Sequence, residues 1–448
     1  MVTKTNGGTF KSVPKKKVSK SKKMAFEWAD MKRLMPLCLT ATLVGAVISI
    51  PAAFAPSVLG RQGASGSQIG ALFAIPAVSV LLLAWPLVRF SQTVALRLRI
   101  LLISLPILSF FTILFGLDEE NFQYLFLARA GQGLAYAAAQ TTVFGVAADW
   151  FPNRKHKAIG AMEAAAGFGW MLGPALGGVL FMSGGWALPS VVLGISVLLP
   201  VFAVYHGATP TELEDAAPNE LLTLLGVSEE EHDSNDDSET EGEENMGDGI
   251  TVLDILNNRH VIAALVPVFF VEFSASAMQP VLEPFINNLA PGLGGGTVGF
   301  LVSLQFVAYT LVSPMVGALS ARFGSRPVTL WGLASSTISY AALSQTQGYS
   351  SPLVFYSATS LMVGVGTACA FVPSLPYMGR ATKYLGSNVN GRLSAIWNFV
   401  MACGMTIGPV IGGWVAEISG FAFMTNMQAV LAVVSLVLFW ALTRKPIP

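Results

Sequence analysis

The stretch Glu163-Ala164-Ala165-Ala166-Gly167-Phe168-Gly169-Trp170-Met171-Leu172-Gly173-Pro174-Ala175-Leu176-Gly177-Gly178 returns late in the chain as Gly404-Met405-Thr406-Ile407-Gly408-Pro409-Val410-Ile411-Gly412-Gly413. Gly404, Gly408, Pro409, Gly412 and Gly413 repeat Gly169, Gly173, Pro174, Gly177 and Gly178 at a constant offset of 408 − 173 = 235 residues. An offset near half of the 448-residue length marks a duplication. The i, i+4, i+8 spacing puts three glycines of each copy on one helical ridge, where a second helix can approach backbone to backbone. Pro174 and Pro409 follow the middle glycines, and each removes a donor and frees a carbonyl. Such a ridge suits rocking of one half against the other; plain packing is the other reading, because glycine carries no chemistry.

Composition places this helix in a membrane. Hydrophobic residues make up 53% of the chain and charged residues 12%, with a mean hydropathy of +0.60, which is too apolar for a soluble protein. The charges are segregated: ten of the 26 Lys+Arg fall in residues 1–33 and fifteen of the 26 Asp+Glu between Glu212 and Asp248. The net charge of zero therefore says nothing about local fields. Cys38, Cys369 and Cys403 sit in apolar runs with no paired or metal-ligand spacing. The first residues are too polar for a secretory signal, so the first span is expected to act as its own uncleaved signal.

Windows of about 20 apolar residues cross a bilayer. Twelve occur, near 34–56, 67–88, 98–117, 122–148, 157–181, 186–206, 259–286, 297–320, 327–345, 351–377, 390–415 and 421–442, and they are numbered here as spans 1 to 12. The expected fold is an all-α membrane protein of twelve transmembrane helices in two pseudo-symmetric six-helix halves. Its parts are a basic tail over 1–33, a first half over 34–206, an acidic disordered linker over 207–255 and a second half over 256–448. Basic residues gather in the connections after spans 2, 4, 8 and 10, while those after the odd-numbered spans carry Arg61 alone. Positive residues stay cytosolic, so both termini are expected in the cytosol. The linker is too acidic and too poor in aromatics to fold. Within it, Glu220, Leu224 and Leu225 fit an acidic dileucine signal for a sorting adaptor, or else a turn of linker helix.

Ionisable groups inside spans are costly and mark pathways for ions, protons or substrates. Glu163 stands at the entrance of span 5, roughly 80° around the helix from the glycine ridge; the alternative has it reach the surface and pair with Lys155 or Lys157. Its counterpart at the 235-residue offset is Asn398, so only one half carries this acid. In span 7, Glu272 and Glu283 share a face about 16 Å apart, with Gln279 between them. Pro280 and Pro284 are expected to break that helix beside a cavity. Arg129 in span 4 either locks with a carboxylate across the cavity, for which Glu283 has the better depth, or bonds backbone carbonyls. Nothing suggests an enzyme, a metal site, a cofactor or a nucleic-acid surface. His156, His206, His232 and His260 all lie in or beside loops.

The chain resembles the major facilitator superfamily over all twelve spans. Gly169 to Gly178 looks like its antiporter motif, and Arg129, Gln132 and Gly133 look like its span 4 motif. Gly317, Leu319, Arg322, Gly324 and Arg326 resemble its loop motif after span 8. Ala321 stands where the family has an aspartate, and Gln92 does so in the worn copy after span 2. Within the superfamily, Phe151-Pro152, Gly160-Ala161-Met162-Glu163, Pro373, Pro376 and Ser394-Ala395-Ile396-Trp397 are similar to the vesicular amine transporters, particularly the polyamine branch. Members exchange luminal protons for organic amines. The family's acid-Pro in span 7 is here Gln279-Pro280, with Glu283 one turn on as a replacement, and Phe371 stands where monoamine carriers place an acid.

The resemblance thus implies a secondary transporter of an organic cation, a polyamine-like amine, driven by proton antiport. It is expected as a monomer in an endomembrane or vesicle membrane, with Glu163 and Glu272 neutralising the substrate or carrying the proton. A plasma-membrane exporter of drugs or hydrophobic cations is the alternative. A transport-inactive receptor or scaffold with the same fold is an alternative of another class.

Overall fold

The computed structural model describes residues 28–91, 93–209, 252–385 and 390–445. The lysine-rich tail, Gln92, most of the acidic segment and the Glu220, Leu224, Leu225 signal lie outside them. The described backbone is helical, without a strand. Span 1 is Trp28–Ser49, continued by the tight turn Ile50–Ala53 and the short helix Ala55–Arg61. Spans 2 to 5 are Gly66–Phe90, Val94–Phe115, Phe122–Trp150 and Lys155–Gly184. Span 6 is Ala187–Ser196 followed by Leu199–Gly207, and spans 7 to 9 are Arg259–Leu289, Gly295–Phe323 and Ser325–Leu343. Span 10 is Pro352–Phe371 followed by Ser374–Ala381. Spans 11 and 12 run through Asn390–Leu442 and divide at Gly420, whose φ of 81° only glycine adopts freely.

Nine segments of the described chain are long and apolar enough to cross a membrane, and the last of them, Arg392–Leu442, contains two crossings. The remaining two crossings are the more polar spans 4 and 9, which carry Arg129 and Gln132 in one case and Ser335, Ser336, Thr337 and Ser339 in the other. Side chains that start the helices fix several boundaries. The Ser65 hydroxyl accepts from the Gln68 amide while Gln68 reaches back to the Ser65 amide, forming a capping box. Asn121 and Asn258 cap spans 4 and 7 through their Oδ1 atoms, at 3.2 and 2.9 Å. Outward-facing Leu82, Phe202, Leu311 and Met315 present apolar surface where lipid would lie.

Two expectations change. Span 7 is continuous through Pro267, Pro280 and Pro284; the break lies in span 1, at Ile50–Ala53, where Pro51 lacks a donor. Span 7 keeps its helix because span 11 lies along it on one side and the short helix Ala55–Arg61 packs on its end, the kind of support that lets proline persist in a bundle.

The second change concerns the glycine ridge, which does not face the other half. A Cβ at Gly177 would stand 2.7 Å from the Ile50 carbonyl oxygen, and Gly169 and Gly173 lie just as tightly on Thr42 and Ala46, so the ridge clasps span 1 within its own half. Gly404, Gly408 and Gly412 clasp span 7 in the same way, with a Cβ at Gly404 reaching 2.9 Å from the Phe269 carbonyl oxygen. The halves meet on the adjacent strip of the same motif. Gly178 lies on Gly295 of span 8 and Gly413 on Gly66 of span 2, while Gly299 and Gly70 sit against the Pro174 and Pro409 carbonyls. These contacts cluster at the ends of the spans remote from Trp28 and Thr443, here called the far side.

At the opposite end the loop motifs tie helices within each half. Arg97 pairs with Asp149 of span 4 at 2.6 Å, and Arg154 pairs with Asp30. In the second half, Gly324 (φ 90°) makes the turn between spans 8 and 9, and Arg326 donates to Thr443 Oγ1 at 3.0 Å. The Arg97 and Asp149 side chains are 23% and 25% exposed. Screening by water limits such a pair, so Arg97→Gln is expected to cost only about 0.5–1 kcal/mol. A thermal melt of the purified protein should fall by about 1–2 °C; a much larger fall would make this pair a principal tie of the first half.

Candidate functional site

Between the halves, four polar side chains from four spans come into electrostatic reach of one another. Glu163 of span 5 and Glu272 of span 7 act on each other's charge, and both act on the phenols of Tyr136 in span 4 and Tyr309 in span 8. Two of these residues belong to each half. Local packing explains the arrangement. Gly167 brings span 5 close to Thr310 of span 8, with 3.1 Å to Thr310 Oγ1 from a built Cβ, which carries Tyr309 toward Glu163. Gly404 lets span 11 lie against span 7 beside Glu272, a built Cβ standing 3.0 Å from the Glu272 Cβ, and Ser276 donates to the Glu272 carbonyl at 2.6 Å.

Glu163 is exposed and Glu272 half-buried, although both lie along apolar spans. Among the described residues neither carboxylate has an ion pair or a side-chain hydrogen bond, and Glu163 does not pair with Lys157. An unpaired carboxylate at this depth is costly unless a cation or proton satisfies it. Aromatic rings pair between and within the halves: Trp170 faces Phe306 across the halves at 6.2 Å, and Tyr309, Phe371 and Trp397 follow one another at 6.3 and 4.9 Å. No group of His, Cys, Asp and Glu among the described residues could hold a metal ion.

The remaining sequence candidates fall elsewhere. Arg129 is 1% exposed and does not reach Glu283; its guanidinium donates to the Ile48 carbonyl at 3.0 Å and to Gln132 Oε1. Gln132 in turn donates to Thr112 Oγ1. The rings of Phe73 and Phe115 flank the cation at 5.9 and 5.8 Å. Ile48 lies in the last turn of Trp28–Ser49, where carbonyls lack intrahelical partners, so Arg129 caps that helix end from span 4. Glu283, 3% exposed, accepts from the Ser57 amide at 2.8 Å and from Asn287. Gln279 is buried on span 7 between the two glutamates. Asn398 is exposed and turns back to the Ser394 carbonyl at 2.9 Å. Gly317 lies open, with nothing that a Cβ would touch. Tyr136 and Tyr309 were not evident beforehand; the signal was a phenol inside an apolar span, whose hydroxyl end needs a polar neighbour.

The Major Facilitator Superfamily profile matches residues 37–283 and 264–448. The human MFS-type transporter SLC18B1 is 27% identical over 432 residues, covering 91% of this chain and 86% of that protein. The mouse synaptic vesicular amine transporter is 23% identical over 340 residues, covering 75% and 58%. Among solved structures, a bacterial homolog of the human lysosomal transporter Spinster, inward-facing and unoccupied, superposes with a TM-score of 0.72 at 14% identity, over 94% of this chain and 98% of that one. The nucleoside transporter NupG superposes with a TM-score of 0.68 at 12% identity, over 94% and 100%. At those identities the likeness speaks for the fold alone. The duplicated glycine motif, placed alike in both halves, is the mark of a known architecture: this chain belongs to the Major Facilitator Superfamily and is similar in sequence to the vesicular amine transporters.

Proposed function

We propose that the protein moves an organic amine across an endomembrane by alternating access, in exchange for protons, with both termini in the cytosol. The observation that carries this reading is the pair of carboxylates, Glu163 and Glu272, unpartnered among the described residues and brought from opposite halves into electrostatic reach of each other and of two phenols. A cation placed there neutralises both acids. Protons arriving from the other side of the membrane would replace it, because two carboxylates left bare in an apolar bundle are unfavourable. Two acids in one space suit an amine with more than one positive charge, in keeping with the similarity to SLC18B1 and the vesicular amine carriers. The far side is where the halves close on each other, and it would face the lumen. Under the same reading, Glu220, Leu224 and Leu225 would direct the protein to vesicles.

Uptake of labelled spermidine into acid-inside proteoliposomes tests the proposal. Wild-type uptake is expected to depend on the proton gradient, and Glu163→Gln and Glu272→Gln are each expected to lower it about tenfold or more. Uptake indifferent to both the gradient and the substitutions would remove these acids from the mechanism. The aromatic run Tyr309, Phe371 and Trp397 favours a second reading, export of hydrophobic cations. Stronger competition by a planar aromatic cation than by unlabelled spermidine would select it. No uptake of any amine would favour a receptor role.

A further inference from the structure

We propose that Glu283 is a proton-released latch of the far-side gate, a positioning residue for transport and not a site for the amine. Hydrogen bonds join the halves at the far side. The Ser57 amide donates to Glu283 Oε2 at 2.8 Å, and Asn287 Nδ2 donates to Ser57 Oγ at 3.3 Å. The Gly66 amide donates to Glu417 Oε2 at 2.8 Å, and the Gly295 amide points at Met182. The first and third place a carboxylate of the second half on a backbone amide of the first, beside the Gly178–Gly295 and Gly413–Gly66 seams. Toward the other end, a Cβ at Gly160 of span 5 or Gly317 of span 8 would meet nothing within 4 Å.

Glu283 is the buried member of the two acids, Glu417 the exposed one. Both Glu283 oxygens are engaged: Oε2 takes the Ser57 amide and Oε1 takes Asn287 Nδ2. The charged group facing it from the first half is Arg61, at the end of the helix that carries Ser57. All three partners favour the ionised form. Ionised, the carboxylate accepts from both neighbours and holds the halves together. A proton from the far-side solution converts Oε1 or Oε2 into an O–H donor that meets an N–H donor, and cancels the attraction to Arg61, so the bond across the halves is lost. Acid on the far side therefore opens that side, and neutrality shuts it. Span 7 carries both ends of this coupling, Glu272 in the central space and Glu283 about three turns farther on.

This inference deepens the proton-exchange reading and rests on it for its purpose, yet it can be tested with no amine present. Hydrogen–deuterium exchange of the full-length protein in lipid nanodiscs reads the amides of residues 54–62 directly, once intrinsic exchange rates are divided out. In the wild type, protection of this peptide is expected to fall about tenfold or more between about pH 7.5 and about pH 5.5, while a span 12 peptide stays unchanged. Glu283→Gln should show the low protection at both pH values, and Glu283→Asp should restore a pH-dependent difference. Wild-type protection that ignores pH, or a Glu283→Gln protein that keeps the wild-type response, would overturn the proposal. Should Glu283→Gln fail to fold, the wild-type series and Glu283→Asp decide the matter alone. A latch that responds to acid in a protein that moves no amine would leave this inference standing and defeat the transport reading.

Discussion

Gly178→Val and Gly413→Val are expected to abolish transport while leaving folded, monodisperse protein, whereas Gly173→Val and Gly408→Val are expected to abolish the folded protein itself. All four glycines belong to one repeated motif, and sequence spacing treats them alike. Their neighbours separate them. A Cβ at Gly173 would stand 3.1 Å from the Ile50 amide and one at Gly408 3.2 Å from the Ala277 amide, each with a carbonyl closer still. Those neighbours belong to the same half, which under the proposed alternating access would move as a unit, so no conformation would relieve the clash. Overpacking of this sort costs about 1–3 kcal/mol for a flexible neighbour and more against backbone, a large share of the roughly 5–15 kcal/mol that holds a domain folded.

Gly178 and Gly413 instead meet the backbone of Gly295 and Gly66 across the halves, with carbonyl carbons 2.7 and 2.8 Å from a built Cβ. Under the proposed alternating access, that contact would exist only while the far side is shut. A valine there penalises one state of the cycle and leaves the other untouched, and about 1.4–3 kcal/mol shifts the equilibrium roughly ten- to a hundredfold toward the open far side. Size-exclusion profiles and thermal melts would separate the two classes, and proteoliposome uptake would then show the loss in the folded pair. Normal transport by Gly178→Val would mean that spans 5 and 8 never close on each other during the cycle.

The fold was legible because its signals are long and repeated. Twelve apolar windows and a 235-residue offset survive local irregularity, and the windows after the first appear as helices within a few residues of their expected ends, while span 1 starts earlier, at Trp28, and breaks after Ser49. What the sequence concealed is which neighbour each side chain meets. Pro280 and Pro284 in span 7 read as a break, yet the break fell at Pro51 in span 1, because span 11 supports one helix along its length and the first turn of Ala55–Arg61 ends the other. Glu163 and Glu272 could be singled out by the cost of a carboxylate in an apolar run. Their approach to each other, and to Tyr136 and Tyr309, depends on helix–helix crossings at Gly167 and Gly404 that no single-span pattern encodes. Glu283 carried the same signal as Glu272 and has a different neighbourhood, which is why depth along the helix decided less than the partner opposite.

Arg129 poses the sharpest contrast between a charge read from sequence and a charge seen in place. Its depth in span 4 left two readings, a carboxylate across the cavity or backbone carbonyls, and the second is the one seen: the guanidinium is spread over the Ile48 carbonyl, Gln132 Oε1 and two aromatic faces. Its Nε has no partner among the described residues. Arg129→Gln would leave the Ile48 carbonyl unmet at the very point where span 1 breaks, and each buried group so stranded costs about 1–3 kcal/mol. A loss of about 3 kcal/mol or more is therefore expected, read as a fall in melting temperature and in the yield of folded protein. Arg129→Lys should rescue little, since an ammonium cannot present the planar fork that meets the carbonyl and Gln132 together. The decisive measurement is the double variant with Glu283→Gln. Without a shared partner the two destabilisations should add to within about 0.5 kcal/mol. A double variant markedly more stable than that sum would mean that Arg129 and Glu283 do compensate each other in a conformation of the cycle in which the Ser57 latch has let go.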